Sequence, residues 1–305
     1  VDLISDLVNE FPELQGIMGG HFAKTQGFDN DICLAIREHY LPIGPETKTP
    51  KKPYSVTLAI SDKLDTLSGF FSINLKPTSS KDPFALRRSA IGLIRLIIEN
   101  KLEIKLKDII NYSLMLFSEQ DMNFDIKLAQ QDLYSFISER LRFYMKEKNI
   151  RPDIIECSMS SYNTDQIYKI FNKALILNKL IDKNIGQDII FSYKRASNIL
   201  NDEVKKNKLE LSETTDPGLF KNESEKRLYK KIQEIRKYFT SLGSGENCEK
   251  TLEVLAEAKI EVSNFFEQVV VNDDDETLKK NRLELLQLLC KTFNNYINFS
   301  NIEST

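Results

Sequence analysis

Apolar residues recur with the period of an α-helix along nearly the whole chain. One of the clearest stripes lies in residues 126–148, where Leu133, Ile137 and Leu141 share a face, and another lies in residues 277–299. Apolar positions spaced by three and four residues predict amphipathic helices. No stretch alternates apolar and polar residues with the period of two that is typical of a strand. The fold class is therefore predicted to be all-α.

A polar segment at residues 118–124 separates two groups of predicted helices. A length of 305 residues favours two domains, and we predict them at residues 1–118 and 119–305. The first is expected to be truncated at its N-terminus, because Val1 stands in a helical pattern. The sequence contains no run of eighteen apolar residues, so no membrane span is predicted. The four cysteines are far apart, which predicts buried free thiols in the reducing cytoplasm.

Residues 51–95 hold a local excess of positive charge. They contain eight Lys and Arg residues and three Asp residues, in a chain with a net charge of −3. Asp82 and Pro83 predict the start of a helix, as N-cap and first helical residue. A helix N-terminus surrounded by basic side chains favours phosphate oxygens. The alternatives are a solvated charged face and a subunit contact. The candidate phosphate contacts at this loop are Lys76, Lys81, Arg87 and Arg88.

The same region carries a family resemblance. Its segments read SDKLDTLSGFF and KPTSSKDPFALRRSAIGLIRL, and they resemble the beta subunit of the bacterial two-subunit glycyl-tRNA synthetase. The resemblance continues in FPELQGIMG, EHYLP, SFISERLRFYMKEKNIRPDII and YKRASNIL. The segment VSNFFEQVVVNDDDETLKKNRLELLQLL is similar to the helical anticodon-binding domain of arginyl-type synthetases. The resemblance therefore covers essentially the whole chain.

The resemblance implies an HD-like helical domain followed by a helical-bundle anticodon-binding domain of the arginyl-tRNA synthetase type. It implies the C-terminal part of a beta subunit that binds glycine tRNA, while the alpha subunit attaches glycine with the use of ATP. The whole enzyme is expected to be a cytoplasmic heterotetramer of two alpha and two beta subunits. The chain shows no nucleotide-binding motif. We therefore expect no catalytic residue, no cofactor of its own, and no DNA or membrane partner.

A second resemblance concerns metal chemistry. LAISDKLDTL is similar to the segment that carries the last aspartate ligand of metal-dependent HD phosphohydrolases. Asp62 would be that ligand and Asp2 would occupy the His-Asp position, but Val1 stands where the histidine belongs. Two carboxylates without a paired histidine suit a transition metal poorly. We therefore predict that Asp2 and Asp62 are degenerate ligand positions and that they bind no metal. A working phosphohydrolase and a helical scaffold that binds no RNA remain the alternatives.

A second set of candidate tRNA contacts is expected in the anticodon-binding domain. Lys194 and Asn198 are four residues apart and share a helical face. Guanidinium groups bind phosphates and stack on the splayed bases of RNA loops. The alternative is that Arg195 and Asn198 satisfy helix ends and acidic neighbours within the bundle. The full set predicted for this domain is Arg140, Arg142, Lys194, Arg195 and Asn198.

Overall fold

The fold is helical throughout the part of the chain that the computed structural model describes. That part comprises residue 2 and residues 6–78, 80–120, 122–161, 165–207, 210–212, 214–242 and 246–303. It contains fourteen α-helices, three short 3-10 helices and one isolated bridge between Lys105 and Gln166, with no strand. The predicted all-α class is confirmed. In these ranges, no helix is both long enough and apolar enough to cross a membrane.

The chain forms two compact units. Unit 1 comprises Val1–Lys148 and Asp165–Lys169, and unit 2 comprises Asn149–Thr164 and Ile170–Thr305. The helices of unit 1 are α1 (Asp6–Glu10), α2 (Met18–Thr25), α3 (Asn30–Glu38), α4 (Pro53–Ser72), α5 (Leu86–Glu99), α6 (Leu106–Ser118) and α7 (Ile126–Glu147).

The core of unit 1 is built around α4 and α5. Helix α4 packs against α3, α5, α6 and α7, and α5 also packs against α7. The apolar stripe of α5 is buried, with Leu93, Ile94 and Ile97 almost fully removed from solvent. Removing aliphatic side chains from water is the main favourable term in folding. The regular spacing of these residues explains why α5 lies at the centre of unit 1.

Helix α7 belongs to unit 1, although the sequence suggested a domain boundary near residue 118. Its stripe of Leu133, Ile137 and Leu141 is buried, and the helix packs against α4, α5 and α6. The polar segment after α6 is therefore a connection within one core. The compact unit continues to Lys148, thirty residues past the predicted boundary at 118, because the apolar face of α7 completes the core of the preceding helices.

Helix α5 begins later than predicted. Its first residue is Leu86, and it follows Ala85 in a left-handed conformation with φ of 53°. The carboxylate of Asp82 nevertheless accepts hydrogen bonds from the N–H groups of Leu86 at 2.9 Å and Arg87 at 3.0 Å. Asp82 thus satisfies the first turn, as a capping residue does. Pro83 lies in the turn before the helix instead of at its first position.

Unit 2 is a bundle centred on α14. Helix α14 packs against α10 and α11, α10 also packs against α12 and α13, and α13 packs against α11. Leu285, Leu286, Leu289 and Phe293 of α14 are completely buried. The remaining helices are α8 (Pro152–Met159), α9 (Ile167–Leu180), α10 (Asn184–Asn207), α11 (Glu223–Ser241), α12 (Cys248–Ala256), α13 (Ala258–Gln268) and α14 (Glu276–Asn294). Of α9, residues 170–180 belong to unit 2.

The four cysteines are buried free thiols, as their spacing predicted. Burial raises the pKa of Cys157 and of Cys290 to about 12. A thiol with such a pKa is protonated near neutrality, and the thiolate is the form that reacts. These cysteines therefore serve as small apolar core residues.

Candidate functional site

The two positions expected for a degenerate HD site do not form a metal centre. Asp2 is completely buried, and its carboxylate accepts hydrogen bonds from the backbone N–H groups of Gly16, at 2.8 Å, and Gly19. Asp62 is half-buried on α4 and lines a surface cleft. Among the residues described, no group of three or more His, Cys, Asp or Glu side chains could hold a metal ion. The described residues therefore offer no set of metal ligands for the phosphohydrolase alternative.

Two of the eight basic residues in the positively charged stretch are structural. Lys63 is buried, and its Nζ donates to the backbone carbonyls of His39 at 3.3 Å and Tyr40 at 3.2 Å. Burial lowers the pKa of Lys63, while the nearby charge of Asp62 opposes the shift. Gly92 of α5 leaves room for this side chain, because a Cβ there would lie 2.7 Å from Lys63 Cε.

Arg95 is the second buried cation, and it holds a loop. Its Nη1 donates to the carbonyls of Gly44 at 2.9 Å and Pro45 at 3.1 Å, and its Nη2 donates to that of Thr47 at 2.7 Å. Its Nε donates to Glu99 Oε1 at 2.8 Å. Every guanidinium nitrogen of Arg95 is thus engaged within unit 1. A count of basic residues in the sequence overstates the charge available to a ligand here.

The four residues predicted at the basic loop have different roles. Lys76 forms an ion pair with Asp132 of α7. Arg87 donates to the Thr78 carbonyl, and its Nη1 lies 3.8 Å from Asp82 Oδ2. Asp82 also occupies two of the N–H groups at the start of α5, the donors proposed for a phosphate. Lys81 and Arg88 have exposed side chains and are therefore accessible to a ligand.

On α10 of unit 2, Arg195 lies against two aromatic rings. The residue is exposed, and its guanidinium carbon lies 5.5 Å from the centre of the Phe191 ring and 4.7 Å from that of Phe266. Both distances are in the range of cation–π attraction. Lys194 is half-buried, and Asn198 is exposed one turn beyond it. This arrangement combines donors for phosphate with a flat apolar surface.

Phe191 and Phe266 were not among the predicted site residues. Phe191 precedes Arg195 by four residues on the same helix, so the sequence alone could have indicated that pair. Phe266 comes from α13, and only the packing of α13 against α10 brings its ring to Arg195. Exposed basic residues of α11 were also not included, namely Lys226, Arg227, Lys230, Arg236 and Lys237.

Comparison with known proteins gives two family matches in chain order. Residues 1–160 match the family model described as glycyl-tRNA synthetase beta subunit. The chain belongs to this family. Residues 189–304 match the DALR anticodon binding domain. Both results agree with the resemblance that the sequence motifs suggested.

Curated members of the glycyl-tRNA synthetase beta subunit family align along nearly the whole chain. The glycine–tRNA ligase beta subunit of Rickettsia canadensis is 36% identical over 302 residues, which cover 99% of this chain and 43% of that protein. The one from Rhodospirillum centenum is 36% identical over 306 residues, covering 99% and 42% respectively. The chain thus spans less than half the length of these relatives.

The family matches divide the residues that were predicted as one anticodon surface. Lys194, Arg195 and Asn198 lie in the match to the anticodon binding domain. Arg140 and Arg142 lie on α7, within unit 1 and within the match to the beta-subunit family model. The structure places these two arginines in unit 1, outside the domain for which they were predicted, because the apolar face of α7 packs in the core of that unit.

Proposed function

We propose that this chain is the tRNA-binding part of a glycine–tRNA ligase beta subunit. In this proposal it holds glycine tRNA while the alpha subunit attaches glycine with the use of ATP. The whole enzyme would be a cytoplasmic heterotetramer of two alpha and two beta subunits, and this part would contribute no catalytic residue and no cofactor. The order of the two family matches along the chain carries the proposal.

The arrangement around Arg195 suggests how an RNA loop would be held in unit 2. The side chain of Arg195 is exposed, and two aromatic rings lie close to its guanidinium carbon. A guanidinium offers planar, bidentate donors to a phosphate and also stacks on bases. Phe191 remains 37% exposed, so a base can contact its ring. Unstacked loop bases are the usual target of such surfaces.

A titration of this chain with glycine tRNA tests the proposal. We expect binding that weakens with salt, as phosphate contacts require, and a lower affinity for a tRNA with a different anticodon. A helical scaffold without RNA function would bind neither tRNA, and that result would overturn the proposal. Equal affinity for both would contradict anticodon recognition while leaving general tRNA binding in place.

The substitution Arg195→Ala locates the contact. It should weaken tRNA binding by about 1–3 kcal/mol and leave the thermal midpoint nearly unchanged, since the side chain is exposed. Arg236→Ala is the matched control, because Arg236 is an exposed arginine of α11 in the same unit. An unchanged affinity, or a large fall in the melting temperature, would assign Arg195 to the stability of the bundle.

A further inference from the structure

A cavity of about 330 Å³ lies within unit 1 between the loop at residues 42–45, helix α5 and helix α7. Its lining includes four arginines and one acidic residue, Glu147. Pro42, Ile43 and Arg88 also line a neighbouring cleft of about 600 Å³, so the two cavities adjoin. We call the smaller one the arginine cleft. Its four arginines are Arg87, Arg88, Arg95 and Arg140.

Two of these arginines donate side-chain hydrogen bonds within the protein, and the other two keep N–H donors for a ligand. Arg95 holds the carbonyls of the loop, and Arg87 contacts Asp82 and Thr78. Arg88 is exposed. Arg140 has its Nη2 3.7 Å from Glu139 Oε2 and its guanidinium carbon 5.8 Å from the centre of the Phe136 ring. Its Nε is buried and has no hydrogen-bond acceptor among the described residues. A buried donor without a partner costs free energy, so its presence calls for an explanation.

The arginine cleft also has an exposed apolar wall. Ile43 is 53% exposed and Phe143 is 49% exposed, and both line the cavity. An aromatic ring beside guanidinium groups is the pairing on which single-stranded nucleic acids bind, with the base on the ring and the phosphate on the cations. The cavity volume is at the small end of the range for ligand sites, which suits one nucleotide.

We propose that the arginine cleft binds a single nucleotide of an RNA chain, with its phosphate on Arg88 and Arg140 and its base against Phe143. The inference rests on the proposed tRNA-binding function and adds a contact in unit 1 to the one at Arg195. The sequence placed Arg88 and Arg140 in different domains. The structure brings them to one cleft because α7 packs against α5.

The test measures the affinity of the whole chain for glycine tRNA in variants of the cleft. Arg88→Gln, Arg140→Gln and Phe143→Ala should each weaken binding at least about five-fold. The two arginine variants should also reduce the slope of log affinity against log salt by about 0.7, the value for one phosphate contact on a single strand. Arg37→Gln is the matched control, since Arg37 is an exposed arginine of unit 1 outside the cleft.

The outcomes separate this inference from the proposed function. If the wild-type chain binds tRNA and all three cleft variants bind equally well, the cleft assignment fails and the proposed function stands. If the wild-type chain binds no tRNA, both fail. A thermal midpoint is recorded for each variant. If Arg140→Gln lowers that midpoint, the tRNA affinity of Arg88→Gln becomes the deciding measurement, because Arg88 is exposed. An unchanged affinity in Arg88→Gln then overturns the inference.

A free nucleotide offers the same chemistry as a nucleotide within RNA, and a titration with AMP distinguishes the two sources. We expect AMP to bind weakly, to depend on Arg140, and to compete with tRNA. AMP binding that depends on Arg140 while tRNA affinity is the same in wild type and Arg140→Gln would overturn the assignment to RNA.

Discussion

The two units differ in the balance of carbonyl and carboxylate partners around their buried cations. In unit 1, Lys63 and Arg95 donate mainly to backbone carbonyls of residues 39–47. In unit 2, Arg282 of α14 contacts two carboxylates, with its Nε 2.8 Å from Glu225 Oε1 and its Nη1 2.6 Å from Asp273 Oδ2. Carbonyls carry no net charge, so the two sets of contacts differ in electrostatics as well as in what they connect.

The pKa values of Lys63 and Arg282 are shifted in opposite directions. Burial lowers the pKa of Lys63, and the neighbouring Asp62 only partly opposes it. Burial also acts to lower the pKa of Arg282, but the hydrogen bonds to Glu225 and Asp273 outweigh it and raise the pKa. In Lys279 the hydrogen bond to Glu203 is the largest influence and raises the pKa. Carboxylate partners thus compensate a buried cation, whereas carbonyls do so only in part.

Some of the cations in a basic stretch of sequence are structural and do not face a ligand. Lys63 and Arg95 contributed to the charge excess of residues 51–95, yet each holds a loop in place and neither is free for a ligand. The ion pairs of unit 2 instead connect helices, since Arg282 and Glu225 join α14 to α11. A cation bound to carbonyls and a cation bound to carboxylates should therefore respond differently to substitution and to pH.

The largest expected effect is the loss of the buried ion pair in unit 2. Arg282→Met removes the cationic partner of the Glu225 carboxylate, which is 1% exposed at its side chain and keeps hydrogen bonds from the backbone N–H groups of Lys221 and Asn222. Breaking a buried pair on one side costs about 3–5 kcal/mol of unfolding free energy. Urea denaturation measures this loss, and Lys230→Met on the exposed face of α11 is the control. A loss under about 1 kcal/mol would show that Glu225 relaxes to water.

A smaller loss is expected from Arg95→Met in unit 1. The substitution leaves carbonyls that can turn towards water and Glu99, whose side chain is 30% exposed. We expect about 2–3 kcal/mol of destabilisation, with faster amide exchange in residues 42–49. Lys52→Met supplies an exposed control from the same charged stretch. If Arg95→Met proved more damaging than Arg282→Met, the proposed ranking of carbonyl and carboxylate partners would be reversed.

Lys76→Ala should have a still smaller effect on stability. Its ion pair with Asp132 has side chains that are 32% and 34% exposed, and such pairs contribute about 0–1 kcal/mol. Thermal unfolding measures this change. Asp132→Ala should match it, because each substitution removes the same contact. A loss well above that of an exposed pair in Lys76→Ala alone would point to a further structural role for Lys76.

The smallest expected effect is a difference in pH dependence between Lys63 and Lys279. The folded pKa of Lys63 is below its ordinary value of 10.5, so the unfolded state binds more protons in that window and stability rises with pH. The folded pKa of Lys279 is above 10.5, so its stabilisation is complete below that pH and is lost as the pH rises through the folded pKa.

Urea midpoints of Lys63→Met and Lys279→Met at pH 8 and in the alkaline range test these signs. Relative to wild type, Lys63→Met should lack the gain in stability on approaching pH 10.5. Lys279→Met should lack the loss above it. The same sign of change in both variants would contradict the contrast between carbonyl and carboxylate partners.

The sequence by itself determined the helical class, the family and two kinds of local feature, namely the buried faces of helices and a helix-capping residue. The stripes of α7 and α14 predicted which residues are buried, because a helix with apolar residues on one face has to cover that face. Asp82 was identified as a capping residue from its position alone. Such signals act within one or two helical turns, so the chain order is enough to recognise them.

Only the tertiary structure decided which faces meet. It placed α7 in unit 1, where Arg140 lines a cleft with Arg88 and does not lie on the predicted anticodon surface. It also brought Phe266 to Arg195 and buried Lys63. Periodicity shows that a face is buried but does not identify its partner, since any apolar stripe of similar shape satisfies the same hydrophobic requirement. The partner is fixed by packing among residues that are far apart in the chain.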